Sequence, residues 1–298
     1  MFKEARNLAK LPLRLVPEGP FLIKSREGLD PTRPDMEFVR LNTPYGDALY
    51  VPGSSLKGAV RSAMEALLRA VGKINLPICD PLALSAGACT SRPNKERRGI
   101  QRRDSLPYKD HCDVCKMFGS TELAGRVRFG DLMPWRIEQE TKEREQAVRA
   151  LDSHLNVRTG VAIDRRTGQA KGGALYELET VCGGAFYGEI TAQNVGLWQL
   201  GLLWLVLDRL DDGTLRLGFG KSRGLGRVRL TVEHFMFEQF GAFSLQTNAL
   251  CGADSNDEQL EVQVASTGGL LGRRFDFGTP VLPIVHDGLF HLAERRYT

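Results

Sequence analysis

Apolar residues recur along this chain in two rhythms, and the alternation between them predicts its elements. After Pro52, the stretch GSSLKGAVRSAMEALLRAVG puts Leu56, Val60, Met64, Leu67 and Leu68 on one stripe at helical spacing, with Ser54 or Ser55 able to cap its start and Gly72 to stop it. From about Gln193 to Gly213, the run WQLGLLWLVLDRL is apolar on most faces and predicts a second, buried helix. Strand-like stretches flank both helices. LPLRLV and FLIK precede the first, RVRFGDLM at 126–133 and AFYGEITA at 185–192 lie between them, and GRVRLTVEHFMF at 226–237 follows the second.

Strand, helix, strand, strand, helix, strand is the split βαβ order of ferredoxin-like and RNA-recognition-motif folds, so the expected class is α+β. Such a palm uses only part of the 298 residues. It is expected over 1–240, interrupted by insertions at 73–125 and 136–184 that are too long to be mere connections. The tail, 241–298, carries an acidic stretch from Asp254 to Glu261 and reads as an accessory segment of short strands. At 42% hydrophobic and 26% charged residues the chain can bury a core, which excludes disorder throughout. No apolar run nears the roughly 20 residues that cross a bilayer, and the opening MFKEARNLAK lacks a signal peptide's apolar stretch. A cytoplasmic protein with no membrane partner is expected.

In a reducing compartment, cysteines serve as metal ligands or core thiols more readily than as disulfides. Cys112-Asp113-Val114-Cys115 has the spacing whose tight turn points two thiolates at one tetrahedral metal, and Cys79 and Cys89 can complete the set. The segment between the pairs is polar and without apolar periodicity, so a structural zinc would offset its ordering cost. His111 is a possible substitute for one cysteine. Scattered reduced cysteines, or a redox pair, are the other readings.

The net charge of +4 is small, but basic residues concentrate in three places. Arg92 to Lys109 holds seven Lys/Arg against Glu96 and Asp104, and Arg158 to Lys171 holds four against Asp164. In the loop GFGKSRGLGRVRL, Lys221, Arg223, Arg227 and Arg229 alternate with glycines, a pattern that lets a polyanion backbone approach main-chain N–H groups. Gly220-Lys221-Ser222 imitates the end of a P-loop, but Leu215 stands where the first glycine belongs and a helix precedes. The dinucleotide fingerprint fails too, since Arg223 takes the third glycine's place. Each patch alone reads equally well as a solvated surface. Together, on this fold, they point to RNA.

Val51-Pro-Gly-Ser-Ser-Leu-Lys-Gly-Ala-Val-Arg61, then Cys112-x-x-Cys115-Lys-Met-Phe-Gly-Ser120 leading to Arg126-Val-Arg-Phe-Gly-Asp131, then Arg158 to Asp164 and Gly218 to Arg229, resemble the RAMP superfamily. More narrowly, they resemble the backbone subunits of type III CRISPR effector complexes. The resemblance covers about 50 to 235. It implies a ferredoxin-like palm, a zinc-binding insertion and a protruding thumb hairpin, stacked with other effector subunits as a filament along a guide RNA. Ser54, Ser55, Lys57 and Arg61 match the helix start that holds the guide backbone, as helix N-termini hold anions. Lys221, Ser222 and Arg223 lie in the loop that closes over the guide. Arg158, Arg165 and Arg166 lie near the thumb tip, where Val161 or Ile163 is the expected wedge between base pairs of guide and target RNA.

Members that cut target RNA use an acidic residue before the P-G-S-S helix together with magnesium or another divalent ion. Asp35 is the best match and Asp30 the second, so target-RNA endonuclease activity is one expectation, and a structural, non-cleaving subunit the other. A turn-forming Asp beside Pro31 or Pro34 is the plainer explanation for either residue. Guide processing is a third reading, for which His154 is the only histidine near the thumb.

Overall fold

A computed structural model of the chain describes residues 4–25, 33–71, 78–80, 89, 107–241, 248–253, 259–264, 266–269, 272–278 and 281–297. Strand β1 (Asn7–Pro17) buries alternate residues, Ala9, Leu11, Leu13 and Leu15, as a half-covered strand should. The ribbon β2 (Arg40–Thr43) and β3 (Gly46–Leu49) leads into α1 (Gly53–Val71). The cysteine segment contributes α2 (Asp113–Phe118), and β4 (Val127–Phe129) follows. The second insertion is α3 (Thr141–Asp152) and the hairpin β5 (Leu155–Ile163) and β6 (Ala170–Val181). The palm resumes with β7 (Phe186–Gln193), α4 (Leu197–Asp211), β8 (Val228–Val232) and β9 (Phe235–Phe240). The tail holds β10 (Ala249–Cys251), β11 (Gln259–Glu261), β12 (Thr267–Gly269), β13 (Gly272–Phe277) and α5 (Leu282–Tyr297).

The main sheet runs β12-β13-β9-β1-β7-β4, antiparallel at every pairing, with β8 and β9 sharing one edge of β1. Strand β7 therefore separates β1 from β4, which is the split βαβ order expected of an α+β, ferredoxin-like palm. Helix α1 buries Leu56, Val60, Met64 and Leu68, and α4 is buried on most faces. Phe21, Phe38 and Phe186 form one aromatic nucleus, with ring centroids 5.5 and 6.3 Å apart at Phe38, and Phe235, Phe275 and Phe277 form another. Each ring removed from water contributes on the order of 2 kcal/mol.

Several expectations are corrected. Helix α1 starts at Gly53, so Ser54 and Ser55 sit inside its first turn rather than at the cap, and the Gly53 N–H donates to Asp131 Oδ1 at 2.7 Å. A Cβ at Gly53 would lie 2.2 Å from the Phe129 carbonyl oxygen, so the helix start and the end of β4 approach too closely for a side chain. Leu67 is exposed, because it lies at the edge of the stripe. FLIK forms isolated bridges, Phe21 to Val181 and Lys24 to Phe38, not a sheet strand. The tail is more than short strands: β10 and β11 pair only with each other, but β12 and β13 extend the palm sheet, and α5 packs along α4. Its sequence hides that helix because Pro283 and Gly288 interrupt the pattern, although proline is tolerated in a first turn. Among the described residues, no helix is long and apolar enough to cross a membrane.

Candidate functional site

The sulfurs of Cys79, Cys89, Cys112 and Cys115 lie within 4.8 Å of one another, and all four residues are buried. Cys79 and Cys115 are 3.4 Å apart and Cys79 and Cys112 3.6 Å, close to the roughly 3.8 Å between thiolates that share a tetrahedral zinc at about 2.3 Å. The turn opening α2 places the pair: Cys112 caps it, and its sulfur accepts from the Cys115 N–H, while the Cys112 N–H donates to Cys89. Without an ion, four thiols this close share protons unevenly. Burial pushes Cys89 up to about 12, hydrogen bonding to Cys112 raises Cys115, and hydrogen bonds from Cys115 and Cys79 lower Cys112. Four thiolates around one dication remove that conflict, so the donor set fits zinc. His111 takes no part: its Nδ1 lies 3.1 Å from the Pro107 carbonyl, and its buried Nε2 has no partner among the described residues.

Beside the cluster a cavity of about 430 Å³ is lined by Lys57, Arg61, Ser120, Thr121 and three of the cysteines. Burial and the neighbouring Arg61 charge lower the Lys57 ammonium, and an anion here would relieve it. Ser54 is exposed and Ser55 half-buried beside it. Arg61, expected at the guide, turns inward: its guanidinium donates to the Gly119 carbonyl at 3.0 Å and approaches the Cys115 sulfur at 3.6 Å.

The glycine loop displays Lys221, Ser222 and Arg223 on an exposed 3₁₀ turn. Gly218 and Gly226 have φ of +85° and +83°, and a Cβ at either would lie 2.2 Å from a carbonyl oxygen, that of Leu22 or Leu217. Arg227 and Arg229 are exposed but paired with Glu18. Arg223 lies 5.7 Å over the Phe219 ring and donates to the Tyr176 hydroxyl at 3.3 Å, so the loop touches the thumb.

On the thumb, Arg158, Arg165 and Arg166 are exposed. Four of the nine exposed large apolar side chains among the described residues lie on this hairpin: Val157, Val161, Ile163 and Leu175. Val161 faces Leu175 directly across the strands, and the register shifts between Val161 and Ile163. Leu175 was not foreseen, and its neighbours Ala174 and Tyr176 give no local signal that sets it apart. Asp35 sits against the thumb's base. Its Oδ2 accepts from the Glu177 N–H at 2.9 Å, and the next residue bridges in parallel to Leu178. Arg40 grips Glu179 with two bonds of 2.8 Å, and the Phe38 N–H adds a third. Burial pushes the Glu179 carboxyl up, but Arg40 and the Phe38 N–H outweigh it and hold it below the usual range. Asp30 and the basic stretch before Pro107 lie outside the described residues. His154 packs on Gly183 at the hairpin's root. A model of the RAMP superfamily matches residues 36–229, a span that includes both insertions and the glycine loop. No curated protein matches the chain significantly.

Proposed function

Because the chain belongs to the RAMP superfamily, whose members have CRISPR-associated, RNA-binding roles, we propose that it is a guide-RNA-binding backbone subunit of a type III interference complex that also cuts the paired target RNA. Lys57 beside the start of α1, with Lys221 and Arg223 in the glycine loop, would neutralise guide phosphates without reading bases. Val161 and Leu175 would enter a base step of the guide–target duplex and displace a nucleotide, with Arg158, Arg165 and Arg166 on the flanking phosphates. Other effector subunits would stack before and behind it.

The observation that carries cleavage is the anchoring of Asp35 on the strand that leads to that wedge. One carboxylate oxygen is occupied by the Glu177 N–H, and the other has no partner among the described residues. A single carboxylate suits a divalent ion that keeps most of its waters, and such an ion supplies charge neutralisation at the phosphoryl oxygens. In the displaced nucleotide the 2′-oxygen attacks its own phosphorus and the bond to the next 5′-oxygen breaks. The 2′ proton passes through solvent to the leaving oxygen, so the ends are a 2′,3′-cyclic phosphate and a 5′-hydroxyl.

The same hydrogen bond favours a second reading, in which Asp35 only docks its segment on the thumb and the subunit does not cut. Labelled target RNA with the assembled complex separates them. Asp35→Asn keeps an acceptor for Glu177 but loses the charge, so it should retain guide binding and stop cutting. An uncut target with the wild-type complex establishes the second reading, and cutting by Asp35→Asn at the wild-type rate removes Asp35 from the reaction.

A further inference from the structure

Helix α1 carries Arg61, Glu65 and Arg69 at four-residue spacing, stacked along the face turned to the cysteines. Glu65 joins the two guanidiniums, accepting from Arg61 Nε at 2.9 Å and from Arg69 Nη2 at 3.5 Å. Beyond Glu65 each arginine reaches a cysteine-bearing segment outside α1. Arg61 Nη1 donates to the Gly119 carbonyl at 3.0 Å and Nη2 lies 3.6 Å from Cys115 Sγ, while Arg69 Nη2 donates to the Cys79 carbonyl at 3.1 Å.

We propose that this Arg-Glu-Arg ladder is an outer clasp for the metal of the cysteine cluster, in which Arg61 positions and neutralises the Cys115 thiolate and Arg69 fixes the loop that delivers Cys79. The inference rests on the zinc reading of that cluster. One dication with four thiolates carries two net negative charges, and burying such a group is costly unless cations and donors face it. The backbone N–H groups of Cys112 and Cys115 supply two donors and Arg61 the third.

An ordinary i, i+4 pair on a helix surface is worth only about 0.3–0.5 kcal/mol and points along its own helix. This ladder differs in both respects. The Arg61 and Glu65 side chains are 19% and 11% exposed, and the acceptors beyond Glu65 lie on other segments. Three Arg61 donors pointing to three acceptors in different directions also require the planar fork of arginine, which lysine lacks.

The test uses the full chain, first assayed for zinc as purified, then with zinc transfer to a colorimetric chelator followed for wild type, Arg61→Gln, Arg61→Lys and Arg69→Gln. Losing an outer partner lowers metal affinity roughly 10–100-fold, so Arg61→Gln should release zinc faster by a factor in that range, with Arg61→Lys between it and wild type. In cobalt-loaded protein the sulfur-to-cobalt charge-transfer band of Arg61→Gln should move to lower energy, because an unbonded thiolate donates charge more readily. General loosening of the fold would not produce that shift. The salt dependence of RNA binding should stay as in wild type. Wild-type zinc release with an unmoved band overturns the clasp, as does a salt slope reduced by one phosphate contact. If Arg61→Gln does not fold, wild-type zinc release from Arg69→Gln, at the half-exposed end of the ladder, overturns it equally. Wild-type protein that carries no zinc refutes the zinc reading itself.

Discussion

The cysteine segment and the thumb both interrupt the same palm, and their side chains face opposite ways. In α2 five of six residues are buried, whereas along β5 every residue is at least partly exposed. A six-residue helix cannot stand by its own hydrogen bonds. It is held from outside by the cluster, by the ladder on α1, and by Tyr297, whose hydroxyl donates to Asp113 at 3.0 Å. The hairpin's strands bond to each other, and toward its root β6 also bonds outward to Asp35, Met36 and Phe21, with Arg40 and the glycine loop adding side-chain contacts. One insertion turns its chemistry inward to hold a shape. The other turns apolar residues outward, where only a partner can cover them.

The largest effect should come from Cys112→Ser. Structural zinc contributes roughly 10–16 kcal/mol to small sites, so native mass spectrometry should find the ion gone and hydrogen exchange should find α2 open. Exchange should also rise in α5, through Tyr297, while β1 and β7 stay protected. Collapse of the palm as well would erase the contrast between the insertions.

Next is Glu179→Ala, which leaves Arg40 and the Phe38 N–H without their acceptor. Removing one side of a largely buried pair costs about 3 kcal/mol, seen as a lowered Tm and faster exchange at the thumb's root. Because the folded carboxyl titrates below its usual 4.5, its contribution is complete above that pH and is lost as pH falls through the folded value. Glu179→Gln should therefore flatten the acid side of the stability profile and leave the region above pH 7 parallel to wild type.

Reversing charge at Lys221 and Arg223 should weaken RNA binding without changing stability. Two lost contacts at about 0.7 each should cut the salt slope by about 1.4, read by fluorescence anisotropy over a salt series. The smallest effect belongs to Tyr176→Phe, which keeps the ring against Gly160 but removes the hydroxyl that accepts from Arg223. A double-mutant cycle with Arg223→Ala should give a coupling of about 0.5–1 kcal/mol.

Periodicity and spacing carried most of the palm. The α1 stripe, the apolar α4 and the C-x-x-C turn are local patterns, and apart from Leu67 their residues lie where the patterns require. What sequence reading missed depends on contacts between distant segments. Asp131 receiving the Gly53 N–H joins residues 78 apart, and nothing near Asp131 marks it as the partner of that helix start. Arg61 belongs to the motif whose resemblance implied guide contact, but which way its side chain turns depends on Glu65 and Cys115, which the motif does not specify. Helix α3 was not foreseen because only Val148 and Leu151 are buried on it, too few to show a period, although Glu140 and Glu143 form its capping box.

The glycine loop has a consequence for anyone scanning this protein by saturation mutagenesis. At Gly218 and Gly226 every replacement would collide with a carbonyl oxygen, so both positions should score as intolerant to all nineteen alternatives. Lys221, exposed and unconfined, should score as permissive to any cation. A map of tolerance would therefore mark the two glycines that shape the loop more strongly than the basic residues the loop presents.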